Sequence, residues 1–178
     1  MQVLDPEGYV QMPWANGRGV TTEVMRVDDA GGLLWRLSLA QVVEDGPFSR
    51  FAGVDRSLTV IGGPGFGLAG PEGRLRADPL VPVGFAGDVP VSACDVAGPA
   101  VDCNVMWRRG AMLARVRVGT GAMTAEGDVV AVLALRAQGI RAGGAPFHVK
   151  HWGCLIGAGR VELTAAGQVL VAELQAAA

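Results

Sequence analysis

Histidine is nearly absent from the 178-residue chain, which holds only His148 and His151, in the stretch FHVKHWG. A site built from several imidazoles is thereby excluded, and the i, i+3 spacing sends the two rings to opposite faces of an extended segment. Neither structural nor catalytic metal is expected, and no cofactor is implied. Cysteine is scarce as well. Cys94, Cys103 and Cys154 are odd in number and show no C-x-x-C spacing, which fits neither a disulfide framework nor a thiolate metal site. Each lies in apolar sequence and reads as a small core residue in a reducing compartment. Basic blocks are missing too: the net charge is −2 and no run of Lys or Arg exceeds two residues, so there is no electrostatic footprint for nucleic acid. No uninterrupted apolar run approaches a membrane span, and MQVLDPEGYVQMPW at the start lacks the charged-then-apolar order of a signal segment. A cytoplasmic protein with neither nucleic acid nor membrane as partner is expected. No Walker loop, dinucleotide fingerprint or G-x-S-x-G elbow occurs. GGPGFG at residues 62–67 lacks the helix that a phosphate cradle requires and reads as a turn.

What the chain does contain is strand signal. Half of its residues are apolar, which excludes disorder. Short runs such as VTTEVMRV, LLWRLSLAQVV, SLTVI, VDCNVMWR, MLARVRV, CLIG, RVELTA and QVLVAEL are separated by glycine and proline at roughly 8–12-residue intervals, the pattern of an all-β sandwich or barrel. VVAVLALRAQG is Ala-rich, yet Val129, Val130 and Val132 between Gly127 and Gly139 favour a buried strand. About a dozen short strands exceed one small barrel and predict two β-barrel units of roughly ninety residues each. The segment VSACDVAGPAVD is the expected crossover.

Residues 33–43 alternate. Leu33, Trp35, Leu37, Leu39 and Val43 share one face, while Arg36 and Ser38 share the other with Leu34, Ala40 and Val42. Residues 101–109 repeat the scheme, with Val101, Cys103, Val105 and Trp107 opposite Asp102, Asn104, Met106 and Arg108. Each mixed face either meets solvent or lines a pocket, where Arg36 and Arg108 would present forked donors to a carboxylate or phosphate. MPWANGRG, residues 12–19, is a turn whose Trp14 and Asn16 either pack at the core edge or stand at a pocket mouth as apolar wall and amide reader. EDGPFSRFAGVDR, residues 44–56, is longer and chemically richer than a strand connection requires. For catalysis without metal, Asp45, Asp55 and Asp102 are the available carboxylates. Neighbouring arginines would lower their pKa values and favour binding or orientation over proton transfer.

MPWANGRGVTTEV, WRLSLAQVVEDGPFSRFAGVDRSLTVIGG and VDCNVMWRRG resemble three motif blocks of the HutD/Ves family of metal-free bicupins, the middle block most specifically. Ala15 stands where many members carry Lys, and Cys103 where an aromatic residue is common. The resemblance implies an all-β fold of two cupin-like β-barrels (bicupin, jelly-roll type) packed as one compact unit. An N-terminal barrel, 1–98, would carry the WRLS and DGPFS motifs, and a C-terminal barrel, 99–178, would follow a junction near residues 97–102. It also implies a non-catalytic protein that binds a small carboxylate metabolite, urocanate- or formylglutamate-like, as an accessory or regulatory factor in histidine catabolism. A metal-free isomerase or hydrolase using Asp45 or Asp102 as base is the alternative, and a scaffold without ligand is a third reading. The ligand-binding set is then Trp14, Asn16, Arg36, Ser38, Asp45, Phe48, Ser49, Asn104 and Arg108, with Asp55, Arg56 and Asp102 behind it. Asp55 and Arg56 are expected to hold the 44–56 loop by local ion pairing, and Arg109 to alternate to the apolar face as a structural residue. A homodimer is compatible with this reading.

Overall fold

The alternation of β-branched and polar residues is realised as strand after strand in the computed structural model, which describes residues 1–14 and 19–178. In chain order the first strands are β1 (Gln2–Leu4), β2 (Val10–Pro13), β3 (Val20–Asp29), β4 (Gly32–Val42) and β5 (Gly46–Pro47). Next come β6 (Val54–Gly62), β7 (Phe66–Gly70), β8 (Gly73–Ala77), β9 (Val83–Ala86), β10 (Ser92–Cys94) and β11 (Ala100–Arg108). The last are β12 (Met112–Ala134), β13 (Gln138–Ala142), β14 (Ala145–Val149) and β15 (Cys154–Ala176). A single 3-10 turn, Pro6–Gly8, is the helical element among the described residues. The all-β expectation holds.

Two units emerge: Val10–Ala111, and Met1–Tyr9 together with Met112–Ala178. The expected boundary at 98/99 does not coincide with this division. β11 pairs antiparallel with β4 along its whole length and with β6 on its other side, which makes it a central strand of the first unit. Pro99 interrupts the strand pattern in sequence, yet it marks only the turn into β11.

In the unit containing Met112–Ala178, several runs that read as separate strands fuse into two of 23 residues each, β12 and β15. Gly121 and Gly159, both at positive φ, bend these strands where turns were expected. Val130 to Val132 pair with residues 155–157 of β15 on one side and with residues 171–173 on the other, so the sheet curls back on its own strand. Strict alternation from Val161 to Val169 turns Val161, Leu163, Ala165 and Val169 inward onto Val130, Val132, Ile140 and Leu155. VVAVLAL is indeed a buried strand.

In the unit Val10–Ala111, a six-stranded sheet in the order β2-β3-β4-β11-β6-β9 is joined by a four-stranded sheet, β5-β10-β7-β8. Val42, Leu58 and Val60 of the larger sheet meet Phe66, Leu68 and Ala93 of the smaller in one apolar cluster. Each of the buried Val, Leu and Phe side chains contributes about 1.5–3 kcal/mol. The cluster fills only part of the interior, and the remainder is polar. Between β6 and β7, Gly63 has φ +78 and a Cβ there would lie 2.2 Å from the Pro99 carbonyl oxygen. Gly63→Ala is therefore expected to lose more than about 2 kcal/mol of stability, combining left-handed strain with a backbone clash. Urea unfolding measures it, and an unchanged midpoint would contradict the packing described.

Candidate functional site

Arg36 and Ser38 alternate to the inner face of β4, and their antiparallel partners on β11 are Met106 and Asn104. Arg56 of β6 lies opposite Met106, while Thr21 and Glu23 of β3 lie opposite Ala40 and Ser38. Three strand pairings thus converge polar side chains on one patch of sheet interior. The mixed faces are not solvent faces: Arg36 is 7% exposed, Ser38 1%, Arg56 3% and Asn104 3%. A cavity of about 240 Å³ opens over them. Pro47, Phe48, Ser49 and Phe51 of the 44–56 loop form another part of its wall, and Trp14 closes a further side.

Among the described residues, two guanidiniums line this cavity and no carboxylate does. Arg36 keeps its Nε 2.8 Å from Glu23 Oε2, which sits behind the lining. Burial draws the Arg36 pKa below the usual arginine range, against the pull of Glu23. Arg56 is more deeply placed. Its Nη2 donates to Asn104 Oδ1 at 2.6 Å and its Nη1 to the Ser49 carbonyl oxygen at 3.3 Å. The Phe85, Phe48 and Phe51 rings lie with centroids 5.0, 5.4 and 5.8 Å from its guanidinium carbon. These cation–π contacts partly replace lost hydration. Burial nonetheless lowers the Arg56 pKa to about 10, with Asp102 opposing the shift and Arg36 adding to it. Asn104 Nδ2 donates to Asp102 Oδ1, so its amide is held between a donor and an acceptor. Asp102 is fully buried, its Oδ2 has no hydrogen-bond partner, and burial pushes its pKa up to about 7 against the pull of Arg56 and Asn104.

Trp14 is fixed by Nε1 donating to Thr21 Oγ1 at 2.8 Å and by its backbone N–H donating to the Gly19 carbonyl at 2.9 Å. A Cβ on Gly19 would come within 2.9 Å of the indole ring, so only glycine lets the chain pass there. An arrangement of this kind can hold and neutralise a small anion against an aromatic wall. Among the described residues no three His, Cys, Asp or Glu side chains gather as a metal site.

A family model described as HutD matches residues 7–171. The chain belongs to the HutD family. The solved structure of HutD from Pseudomonas fluorescens SBW25 is 32% identical, with a TM-score of 0.87 over 99% of each chain. A relative from Pseudomonas putida, described as an uncharacterized 21.2 kDa protein in the hutC 3' region, is 40% identical over 113 residues. That match spans 60% of this chain and 58% of the relative, a little over half its length. A cupin 2 conserved barrel domain protein from Leptotrichia buccalis is 10% identical, with a TM-score of 0.54 over 86% of this chain and 88% of that one. It shares the fold alone. This HutD-family chain is thus all-β and cupin-like, as its sequence implied.

Of the residues expected to bind ligand, Trp14, Arg36, Ser38, Phe48, Ser49 and Asn104 come together at the cavity. Asn16 lies outside the described residues. Asp45 and Arg108 are placed elsewhere. Asp45 accepts from the backbone N–H groups of Val96 and Asp95, at 2.9 and 3.3 Å, and so ties two loops together beside a smaller hollow. Arg108 ends β11 and forms a two-pronged pair with Asp29 at the end of β3, at 2.6 and 2.5 Å. Asp55 and Arg56 do not pair with each other, because successive strand residues face opposite ways. Asp55 points out to Arg109, which also holds Asp88, whereas Arg56 points into the cavity and lines it. Arg109 follows the last residue of β11, where strand alternation no longer governs it. Thr21, Phe51, Phe85 and Met106 were missed. For Thr21 the signal was the alternation in VTTEV; for Phe85 nothing short of the β6–β9 register would have found it.

The folded pKa of Asp102 lies above its ordinary value of 3.8. Between those values the folded state holds a proton the unfolded chain has released, so this group's stabilising contribution is full below about pH 4 and lost as pH rises through about 7. Relative to the parent protein, Asp102→Asn should gain stability progressively over that window. Urea unfolding at several pH values reads the difference, and parallel curves for the two proteins would contradict it.

Proposed function

We propose that this HutD-family protein binds a small carboxylate in the cavity between Arg36 and Arg56, as a cytoplasmic accessory or regulatory factor in histidine catabolism that works without metal. The observation that carries the reading is a pair of buried guanidiniums lining a cavity that no carboxylate lines among the described residues. Each arginine stays charged at neutral pH and offers planar donor pairs suited to carboxylate oxygens. The volume of about 240 Å³ lies below the ~300–1,000 Å³ of drug-sized ligand sites, which suits a metabolite. Trp14, Phe48 and Phe51 supply flat apolar walls for an unsaturated or ring-bearing body. The link to histidine utilisation draws on the family and on the relative from the hutC 3' region. Urocanate and formylglutamate are ligands of the right size and charge.

Binding is favoured over turnover because the carboxylates proposed as bases are otherwise engaged. Asp45 is committed to backbone N–H groups outside the cavity, Asp55 to Arg109, and Asp102 does not line the cavity and accepts from Asn104. A thermal-shift screen with urocanate, formylglutamate, histidine and simple dicarboxylates tests the reading, since a ligand of the native state raises the melting temperature by linkage. Arg36→Ala should abolish the shift, as truncating one buried charged partner costs roughly 2–5 kcal/mol of binding. Arg108→Ala should leave the shift intact. Loss of the shift in Arg108→Ala with retention in Arg36→Ala would place the ligand elsewhere.

A further inference from the structure

Behind the cavity, charges are arranged in series. Arg36 is matched by Glu23 at 2.8 Å, a pair complete within the two strands that carry it. Among the described residues Arg56 has no carboxylate in contact. Its counter-charge is Asp102, reached only through Asn104, whose amide oxygen accepts from Arg56 Nη2 and whose amide nitrogen donates to Asp102 Oδ1. The two groups at the ends of this chain each keep an unpartnered buried atom, Nε of Arg56 and Oδ2 of Asp102. By register Asp102 lies between Ala40 on β4 and Val60 on β6, at a bulge where β6 skips Ile61.

Besides burial, Arg56 and Asn104 act on Asp102 directly, and the surrounding elements bring the following charged groups. β3 brings Glu23, β4 brings Arg36, β6 brings Arg56, and β9 sets Val83 and Phe85 against β6. The 44–56 loop brings Asp45, already committed to the 95–96 backbone. The apolar cluster between the two sheets adds no titratable side chain among the described residues. Among the described residues, with Asp102 ionised, the two guanidiniums at the cavity and the two carboxylates behind them, Glu23 and Asp102, sum to zero. With Asp102 protonated, one positive charge is left over at Arg56.

We propose that an anion enters this cavity together with one proton from solvent, taken up by Asp102. An anion seated against Arg36 and Arg56 places a second negative charge on the cation that Asp102 would otherwise balance. Two carboxylates then compete for one guanidinium in a medium of low dielectric, and the deeper one is relieved by protonation. The balance is simple: carboxylate plus proton gives carboxylic acid, with Oδ2 as the open position. Asn104 serves both states, because its Nδ2 can donate to a carboxylate oxygen or, more weakly, to a carboxyl carbonyl oxygen. The ligand class follows as well. The cavity takes one carboxylate per proton, in effect the uncharged acid, and its affinity rises as pH falls. Burial has already raised the Asp102 pKa to about 7, which sets the exchange within the physiological range.

The inference rests on the binding reading above and is tested by calorimetry with formylglutamate and with formate, neither of which titrates between pH 6 and 9. Heats measured at pH 8 in two buffers of different ionisation enthalpy give the protons bound per ligand. About one proton is expected, with a dissociation constant that weakens about tenfold per pH unit above 7. Asp102→Asn should still bind, with no proton uptake and an affinity that is flat in pH. Heat without buffer dependence in the parent protein overturns the coupling and leaves the binding reading standing. Proton uptake that persists in Asp102→Asn overturns the assignment to Asp102. No heat from either probe at millimolar concentration overturns the binding reading, and the coupling falls with it. If Asp102→Asn fails to fold, the carboxyl carbon resonance of Asp102 in the parent protein decides. It must change protonation at higher pH when formylglutamate is added, and an unmoved titration overturns the proposal.

Discussion

Arg56 has to remain charged in the buried interior of its unit, and most of the site follows from how that is arranged. An isolated guanidinium so deeply buried would be prohibitively costly, so the fold supplies three kinds of compensation. Aromatic faces from Phe48, Phe51 and Phe85 surround it. A carbonyl of the 44–56 loop and the amide of Asn104 accept its protons. Asp102 supplies counter-charge from one step further away. The loop that looked too elaborate for a strand connection is explained by this need: it carries two of the three rings and the carbonyl. The same compensation is incomplete, since Nε of Arg56 keeps no hydrogen-bond partner among the described residues, and the proposed anion site rests on that remainder.

The smaller apolar cluster and the polar patch are two ends of one interior. Val42, Leu58 and Val60 alternate in phase with Arg36, Ser38 and Arg56 along the same strands, so one face of β4 and of β6 passes from polar to apolar along its length. Rigid strand pairing at both ends holds the arginines at fixed spacing, which favours a ligand met by a preformed site. Trp14, locked to Thr21 and passing over Gly19, extends that rigidity to the cavity wall.

Much of this was legible in the residues because β-structure declares itself through a period of two. The all-β class and the inward faces that carry Arg36, Ser38 and Asn104 follow from alternation, while the buried VVAVLAL strand and the turn that falls at residues 63–65 follow from β-branched residues and from glycine and proline. What alternation cannot supply is register and curl. It does not distinguish a glycine that turns the chain from one that only bends it, so β12 and β15 were read as several short strands. It does not say which sheet a strand joins, so β11 was assigned beyond a boundary it does not cross. It also fails past strand ends, where Arg108 is captured by Asp29 and Arg109 by Asp55 and Asp88. Arg56 was underrated for another reason. Its charged neighbour in sequence suggested an ion pair, yet adjacent strand residues cannot face each other, and the side chain that seemed to brace the loop is the one that the loop encloses.

The central claim is that Arg36 and Arg56 together form a carboxylate site. A crystal structure of the protein grown with urocanate tests it most directly. The account predicts the carboxylate within hydrogen-bond distance of both guanidiniums, with its ring against Trp14 or Phe48. Urocanate seated elsewhere, with the cavity between the two arginines filled only by water, would contradict it.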